Sequence, residues 1–256
     1  MPFTFAHIGY ILPIQKKWKE KLSVTGLIFG SIAPDYDILF RLTNVREHLF
    51  QYDLSCILFL IYPLALISAF SFHLFCRNVI IENLPIFLKQ KYQKYNSVNF
   101  SALLKKDFLR ISYSIVFAIC LHLFLDYFCH FLDGFQVKEF IKQYSQNETI
   151  GDISYIFACY GLPILFSLVG FYLIYVYEYH RNLRLHYFSL TKQQWIFWIS
   201  MIMMTVIICL IKFIITEADY SLLLDFVAIL MTSAFIIAFY LTCIIYYFFI
   251  KKKAYA

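Results

Sequence analysis

Charged side chains are scarce in this sequence. Lys, Arg, Asp and Glu make up 15% of the 256 residues, whereas hydrophobic residues make up 61%, and the mean hydropathy is +0.68. A soluble domain carries about 25% charged residues. Because so few polar side chains cannot cover so much apolar material, lipid must cover it. The sequence therefore predicts an integral membrane protein whose surroundings are the lipid bilayer.

Several motifs of soluble enzymes are also missing. The seven cysteines form no CxxC pair, which argues against a disulfide framework. No GxxxxGK, GxGxxG or GxSxG pattern occurs, so nucleotide-binding and serine-hydrolase interpretations have no support. The amino-terminal segment places its charges after its apolar stretch, the reverse of a cleavable secretory signal. The net charge of +6 comes from basic residues beside apolar runs, so we expect no nucleic-acid partner.

Apolar runs long enough to cross a bilayer recur along the chain. A span needs about 20 mostly apolar residues. Five runs meet this length clearly, and a sixth, 22–42, contains glycines, a proline and charges, so it is either a broken span or a helix buried in the bundle. The expected fold is all-α, a polytopic transmembrane bundle of about six helices in a single membrane domain, 1–256. The predicted spans are 22–42, 54–76, 111–132, 154–177, 195–216 and 222–250.

Basic residues between these runs predict the orientation. The connector 77–110 carries seven basic residues, the connector 178–194 carries three, and 251–253 are all lysine. These segments share one side if the five clear spans alternate, and that side should be the cytoplasm. If 22–42 also crosses, both termini are cytoplasmic; if it does not, there are five spans and the amino terminus lies outside.

Ionisable side chains interrupt the 111–132 span. His122, Asp126 and His130 are spaced four residues apart and form one stripe on a helix. An ionisable group at the centre of a bilayer costs about 3 kcal/mol or more, and imidazole and carboxylate are good ligands for zinc and similar divalent ions. His122 and Asp126 can share one ion, whereas His130 needs a second ion or a water. The stripe is a metal site, a buried hydrogen-bonded network or part of a proton path.

Further ligands must come from elsewhere, and the first quarter of the chain supplies candidates. These are His7, Asp35, Asp37 and His48. Each also has a simpler interpretation: a packed histidine, two carboxylates that cap a helix after Pro34, and a solvated histidine in a connector. The connector 43–53 and the Asp126 end of its span lie on the same outer side, so these groups can converge in depth.

Four segments of the chain resemble an uncharacterised bacterial membrane-protein family known only as a domain of unknown function. The segments are the opening MPFTFAH, then GSIAPDYD, a later histidine, and HLFLDYFCHFLDGF. They match the family pattern Pro-Phe-Thr-x-x-His, Gly-Ser-x-x-Pro-Asp, His and His-x-x-x-Asp-x-x-x-His-x-x-Gly over about half of the chain. More distantly, this order is similar to membrane-bound metal-dependent hydrolases and to zinc-dependent phospholipase C, an all-α phosphoesterase with a multi-zinc site.

The resemblance implies roles for individual residues and a bacterial inner (plasma) membrane as the location. It implies a divalent metal, zinc. If the protein is a metal-dependent hydrolase, we expect Asp35 or Asp37 to be the catalytic group that orients the water or acts as a base. The chain departs from the family pattern at Cys129, where threonine is usual, and at Cys159 and Tyr160, where many members have Gln-His. The implied metal ligands are His7, Asp35, His48, His122 and Asp126, with His130 as a further ligand or substrate contact.

Three functions stay open at the level of sequence. The first is a metal-dependent hydrolase that acts on a phosphoester or lipid-like substrate. The second is a transporter for a proton, a metal or a small solute. The third is a non-catalytic membrane assembly protein with a structural polar cluster. The metal content of the purified protein distinguishes them, because only a metal site loses its ion when His122 or Asp126 is replaced.

Overall fold

The fold is helical throughout the described part of the chain. The computed structural model describes residues 5–40, 53–96, 99–131, 161–179, 190–215 and 223–254. These residues are 92% helical and contain no strand, which confirms the all-α prediction. The helices are α1 (Ala6–Lys17), α2 (Val24–Ile32), α3 (Asp37–Phe40), α4 (Leu54–Asn83), α5 (Ile86–Tyr92), α6 (Phe100–Phe131), α7 (Leu162–Tyr179), α8 (Lys192–Ile215) and α9 (Leu223–Ala254), with 3₁₀ turns at Ala33–Tyr36 and Gln93–Tyr95.

Among the described residues, four helices are long and apolar enough to cross a membrane. They are Leu54–Asn83, Phe100–Tyr127, Lys192–Ile215 and Ile229–Phe249, and a shorter apolar helix covers Ile164–Val176. Most of their apolar side chains face outward, since only 6% of the most apolar stretch of α8 is buried and 44% of that of α9. Because exposed apolar surface of this extent needs lipid around it, the chain is a membrane protein.

In two of the predicted segments, a helix ends near a proline. The run 22–42 is not one continuous helix, because α2 ends at Ile32 and a 3₁₀ turn separates it from α3. The connector 77–110 is helical over much of its length, since α4 continues to Asn83 and α5 follows. Pro85 accounts for the end of α4, because helix is disfavoured at the residue before a proline and Leu84 is extended. The single domain stays a prediction, and residues 154–160 of the predicted span 154–177 lie outside the described residues.

Local capping signals begin two of the long helices. The carboxylate of Asp53 accepts a hydrogen bond from the backbone N–H of Cys56 at 2.7 Å at the start of α4. Thr191 and Gln194 form a reciprocal capping box before α8, with contacts of 2.8 and 3.3 Å. Within α4, the residues Ile57–Ile61 form a π-helical turn just before Pro63, whose ring lacks the N–H of a regular helix.

The described chain divides into two compact units. The first comprises Met1–Asp35, Ile57–Leu66 and Asp107–Leu183. Here α2 packs alongside α6 in the same direction: the Ser23 N–H donates to Ser114 Oγ at 2.9 Å at one end, and Ser31 contacts α6 near the other. Gly26 and Gly30 permit this approach, because a Cβ on either would lie 2.5 Å from a backbone carbonyl oxygen of α6. The pair is a GxxxG stripe that brings two helices together.

The helix α1 runs antiparallel to α2 and also packs against α7. A Cβ on Gly9 would meet the backbone of Gly170, and a Cβ on Gly170 would meet Ala6, so neither position has room for a side chain. The hydroxyl of Tyr10 donates to the carbonyl oxygen of Phe166 at 2.6 Å. These contacts hold the amino-terminal end of α1, which carries His7, close to the rest of the first unit.

The second unit comprises Tyr36–Cys56, Ile67–Lys106 and Arg184–Ala256. Its buried core contains Cys76, Val79, Phe197 and Cys243. Side chains of α8 donate hydrogen bonds to backbone carbonyl oxygens at the end of α4. Trp198 Nε1 donates to the carbonyl oxygen of Asn83 at 2.8 Å, and Gln194 Nε2 donates to that of Leu84 at 2.7 Å. The buried amine of Lys212 donates to Ser233 Oγ at 2.8 Å.

Candidate metal centre

Four of the predicted site residues lie together inside the first unit. His7 is the second residue of α1, Asp35 lies in the 3₁₀ turn after α2, and His122 and Asp126 are one turn apart on α6. Their residues are 1%, 1%, 0% and 7% exposed, respectively. Three separate segments therefore place two imidazoles and two carboxylates in one buried position.

The distances between these groups suit a single small cation. His122 Nε2 lies 3.6 Å from Asp35 Oδ1 and 3.5 Å from Asp126 Oδ2, and His7 Nε2 lies 3.8 Å from Asp126 Oδ1. Ligand atoms of a tetrahedral zinc with bonds of 2.0–2.2 Å are about 3.4 Å apart. One ligand atom from each of His7, His122 and Asp126 lies within 4.8 Å of the others. The separations match ligands around an ion more closely than direct N–H···O bonds of about 2.7–3.2 Å.

A backbone contact fixes which nitrogen of His122 can bind an ion. His122 Nδ1 lies 2.6 Å from the carbonyl oxygen of Ser31. Since a carbonyl only accepts hydrogen bonds, Nδ1 must carry the proton and donate it. In the neutral ring, the lone pair then sits on Nε2, the atom that faces Asp35 and Asp126. Metal-binding histidines commonly have their second ring nitrogen held in this way.

Several buried polar atoms of the group have no hydrogen-bond partner among the described residues. They are both ring nitrogens of His7, both carboxylate oxygens of Asp35, Nε2 of His122 and Oδ1 of Asp126. An unsatisfied buried polar atom costs about 1–3 kcal/mol, and more when it is charged. A bound cation would satisfy one ring nitrogen of each histidine together with carboxylate oxygens, so the residues present fit a metal ion.

Charge balance also favours a divalent cation. The rings of His7 and His122 stack with their centroids 4.1 Å apart, so two protonated imidazoles would repel each other at this contact. Imidazole binds a metal ion in its neutral form, so both rings are neutral when an ion is held between them. Two buried carboxylates beside neutral imidazoles carry two negative charges, which one divalent ion neutralises.

The remaining predicted residues are not placed in this group. Asp37 is fully buried at the start of α3, and its catalytic role stays a prediction. His48 lies outside the described residues, as does Tyr160, and the side chains of Cys129 and His130 are not described although both residues belong to α6. The described group therefore contains four of the six predicted ligands.

Two contributors to the site were not anticipated from the sequence. The carbonyl group of Ser31 orients His122, and the stripe of Gly26 and Gly30 brings α2 against α6. A backbone carbonyl has no signature in a sequence, so Ser31 could not have been found. The GxxxG spacing of Gly26 and Gly30 is visible in the sequence a few residues before Asp35. It was the signal for the close approach of α2 to another helix.

Comparison with known proteins identifies the family and nothing finer. No curated protein and no solved structure matches the chain. The similarity to membrane-bound metal-dependent hydrolases inferred from the residue order thus stays a prediction. A family model described as a domain of unknown function, DUF4184, matches residues 1–248. With nearly its whole length matched and four polar residues of the family pattern gathered in one buried group, the chain belongs to the DUF4184 family.

Proposed function

We propose that the protein is a membrane-embedded, metal-dependent hydrolase that acts on phosphoester or lipid-like substrates. The observation that carries the proposal is the buried set of His7, Asp35, His122 and Asp126, whose donor atoms face one another at ligand spacing without other partners. A structural network would normally satisfy its own donors and acceptors. This one is incomplete without an additional group.

The donor set favours zinc as the ion. Two imidazoles with carboxylates are typical zinc ligands. When bound, such an ion lowers the pKa of a coordinated water to about 7 and polarises a phosphoryl oxygen. In this assignment His7, His122 and Asp126 hold the ion, and the Ser31 carbonyl keeps Nε2 of His122 directed at it.

Asp35 suits the role of general base. Its Oδ1 lies 3.6 Å from His122 Nε2, and its Oδ2 has no hydrogen-bond partner among the described residues. A carboxylate with one oxygen beside the ion and the other free can accept a proton from a water molecule in the same position. Asp37, the other predicted catalytic carboxylate, follows two residues later, and we keep Asp35 as the first choice because its contact with His122 is direct.

The position of the group along α6 favours a substrate that lies in the membrane. Where the apolar part of α6 begins, Arg110 Nη1 donates to the carbonyl oxygen of Glu20 at 3.5 Å, which brings the lysine-rich segment 16–21 to that level of the unit. His122 is twelve residues beyond Arg110, about 18 Å along the axis. With the basic end in the cytoplasm of a bacterial plasma membrane and a hydrocarbon core about 30 Å thick, His122 lies just beyond the middle of the bilayer and Asp126 one turn nearer the outer leaflet. A lipid-like substrate would then enter the site from that leaflet.

The experiment that tests the proposal measures metal content and hydrolysis in the same preparations. We expect the full chain, purified in neutral detergent and loaded with zinc, to retain about one ion per chain and to hydrolyse bis(p-nitrophenyl) phosphate or phospholipid in mixed micelles. His122→Ala and Asp126→Asn should lose most of the metal and at least about 100-fold of the rate, since each removes a ligand.

Two matched variants control for general damage. His73→Ala removes a histidine of the second unit that stacks on Phe100, and Asp53→Asn changes an exposed carboxylate that caps α4; both should keep metal and activity. Loss of stability without any metal in the wild type would instead indicate a structural polar cluster. Metal binding without hydrolysis of either substrate, combined with ion flux in liposomes, would indicate a transporter.

A further inference from the structure

A second polar feature lies at the turn between α1 and α2, away from the metal centre. The turn is ordered by its own backbone: the N–H groups of Lys21 and Leu22 donate to the carbonyl oxygen of Trp18 at 2.9 and 2.8 Å. Leu22 packs against the buried cluster of Ile11, Leu27 and Ala118. The charged side chains of this turn are therefore carried by a fixed backbone.

The side chains of this turn border an open basic cleft. The cleft has a volume of about 360 Å³ and is lined by Lys17, Trp18, Lys19, Glu20 and Lys21. Three ammonium groups face one carboxylate, and no ion pair with another described residue neutralises these lysines. The amine of Lys21 lies 5.1 Å from the centroid of the Trp18 ring. A volume of this size accommodates a small polar ligand, and the charge selects an anion.

The level of the cleft along α6 indicates where that anion resides. The Glu20 carbonyl oxygen is in contact with Arg110, and the apolar part of α6 begins with the next residue, Ile111. Trp18 is 47% exposed, and tryptophan is enriched at the boundary between lipid and water. A ligand at this level can present a phosphate to the lysines and an apolar chain to the neighbouring lipid-facing surface.

We propose that this cleft, defined by residues 17–21, binds the headgroup of an anionic phospholipid. The headgroup phosphodiester lies among the amines of Lys17, Lys19 and Lys21, and Trp18 contacts the glycerol region. The ligand therefore comes from the leaflet on the basic side of the protein. The site is separate from the metal centre, since Lys17 and His7 are at opposite ends of α1.

The test measures lipid-specific stabilisation of the full chain in neutral detergent. Increasing dioleoyl phosphatidylglycerol should raise the midpoint of thermal unfolding with a half-saturating concentration at least about tenfold below that of dioleoyl phosphatidylcholine. The triple variant K17Q/K19Q/K21Q should lose this difference. The variant K251Q/K252Q/K253Q, which removes the same charge from the carboxyl-terminal segment, should keep it.

A second measurement uses the tryptophan itself. Phosphatidylglycerol with brominated acyl chains should quench tryptophan fluorescence more strongly than brominated phosphatidylcholine, and Trp18→Phe should remove the excess quenching. An equal loss of lipid preference in both triple variants would overturn the proposal, because general charge would then explain it. Equal stabilisation by free glycerol phosphate at the same concentration would also overturn it, because the site would then be one for a soluble anion.

Discussion

His122 Nδ1 donates a hydrogen bond to the carbonyl oxygen of Ser31 at 2.6 Å, a contact between residues 91 positions apart in the chain. It joins the last turn of α2 to α6 and directs the other nitrogen of His122 toward Asp35 and Asp126. The geometry of the candidate metal centre therefore depends on how closely α2 approaches α6. That approach is set one residue earlier, at Gly30.

Gly30→Ala should weaken metal binding without removing any ligand. The added Cβ would lie 2.5 Å from the carbonyl oxygen of Ile115 and 2.9 Å from Ala118 Cβ, so α2 must move away from α6. Overpacking of this kind costs about 1–3 kcal/mol, and displacement of Ser31 releases the ring of His122. We expect a lower midpoint of thermal unfolding and roughly tenfold weaker zinc affinity, measured by competition with a fluorescent chelator.

Val24→Ala is the matched control for this substitution. Val24 begins α2 and is 39% exposed, so its truncation changes the same helix without affecting the contact with α6. Unchanged zinc affinity in Gly30→Ala, together with an unchanged unfolding midpoint, would show that the approach of the two helices does not determine the site.

The helical fold was more accessible from the sequence than the details of the site. Apolar run lengths identify the spanning helices, because a bilayer imposes a minimum length on them, and Pro34 and Pro85 mark where two helices stop. The interrupted run 22–42 was harder, since composition alone does not distinguish a broken span from a short packed helix. Gly26 and Gly30 in this run are the positions at which α2 contacts α6, not signs of irregular structure.

Pattern and spacing located the ligand candidates, but only tertiary contacts select among them. The four-residue spacing of His122 and Asp126 places both on one face of a helix, so their proximity follows from sequence. The approach of His7 and Asp35 does not, because it depends on α1 packing on α7 and α2 on α6. The stacking of His7 on His122 is likewise a product of packing.

Asp35→Asn should have opposite effects on the metal-free and the metal-bound protein. The carboxylate of Asp35 is buried and both of its oxygens lack a hydrogen-bond partner among the described residues. Without metal, neutralising it removes a buried charge and should stabilise the fold by about 1–3 kcal/mol. With metal, the same change removes an anionic contact, so zinc affinity should fall about tenfold or more. Thermal unfolding in EDTA and in saturating zinc measures both effects.

The alternative role for Asp35 predicts the reverse in EDTA. If a protonated His122 pairs with Asp35 as a structural ion pair, Asp35→Asn leaves that cation with less compensation and destabilises the metal-free protein. Asp53→Asn provides the baseline, because this exposed carboxylate caps α4 and asparagine caps equally well. Its unfolding midpoint should not change in either condition.

Metal removal should loosen α1 selectively. Among the proposed ligands, His7 alone belongs to α1, and it faces Asp126 and His122 on α6, so a bound ion ties the start of α1 to α6. Chelation with EDTA should therefore accelerate amide hydrogen exchange in α1, by up to about 100-fold if the ion is present at 100 times its dissociation constant, while exchange in α8 of the second unit stays constant. In His7→Ala, exchange in α1 should be fast and insensitive to EDTA, because the tie is already absent.

Equal acceleration in α1 and α8 would indicate global destabilisation and contradict a local role for the ion. If EDTA does not alter exchange in α1 of the metal-loaded wild type, His7 packs against the centre without binding its metal.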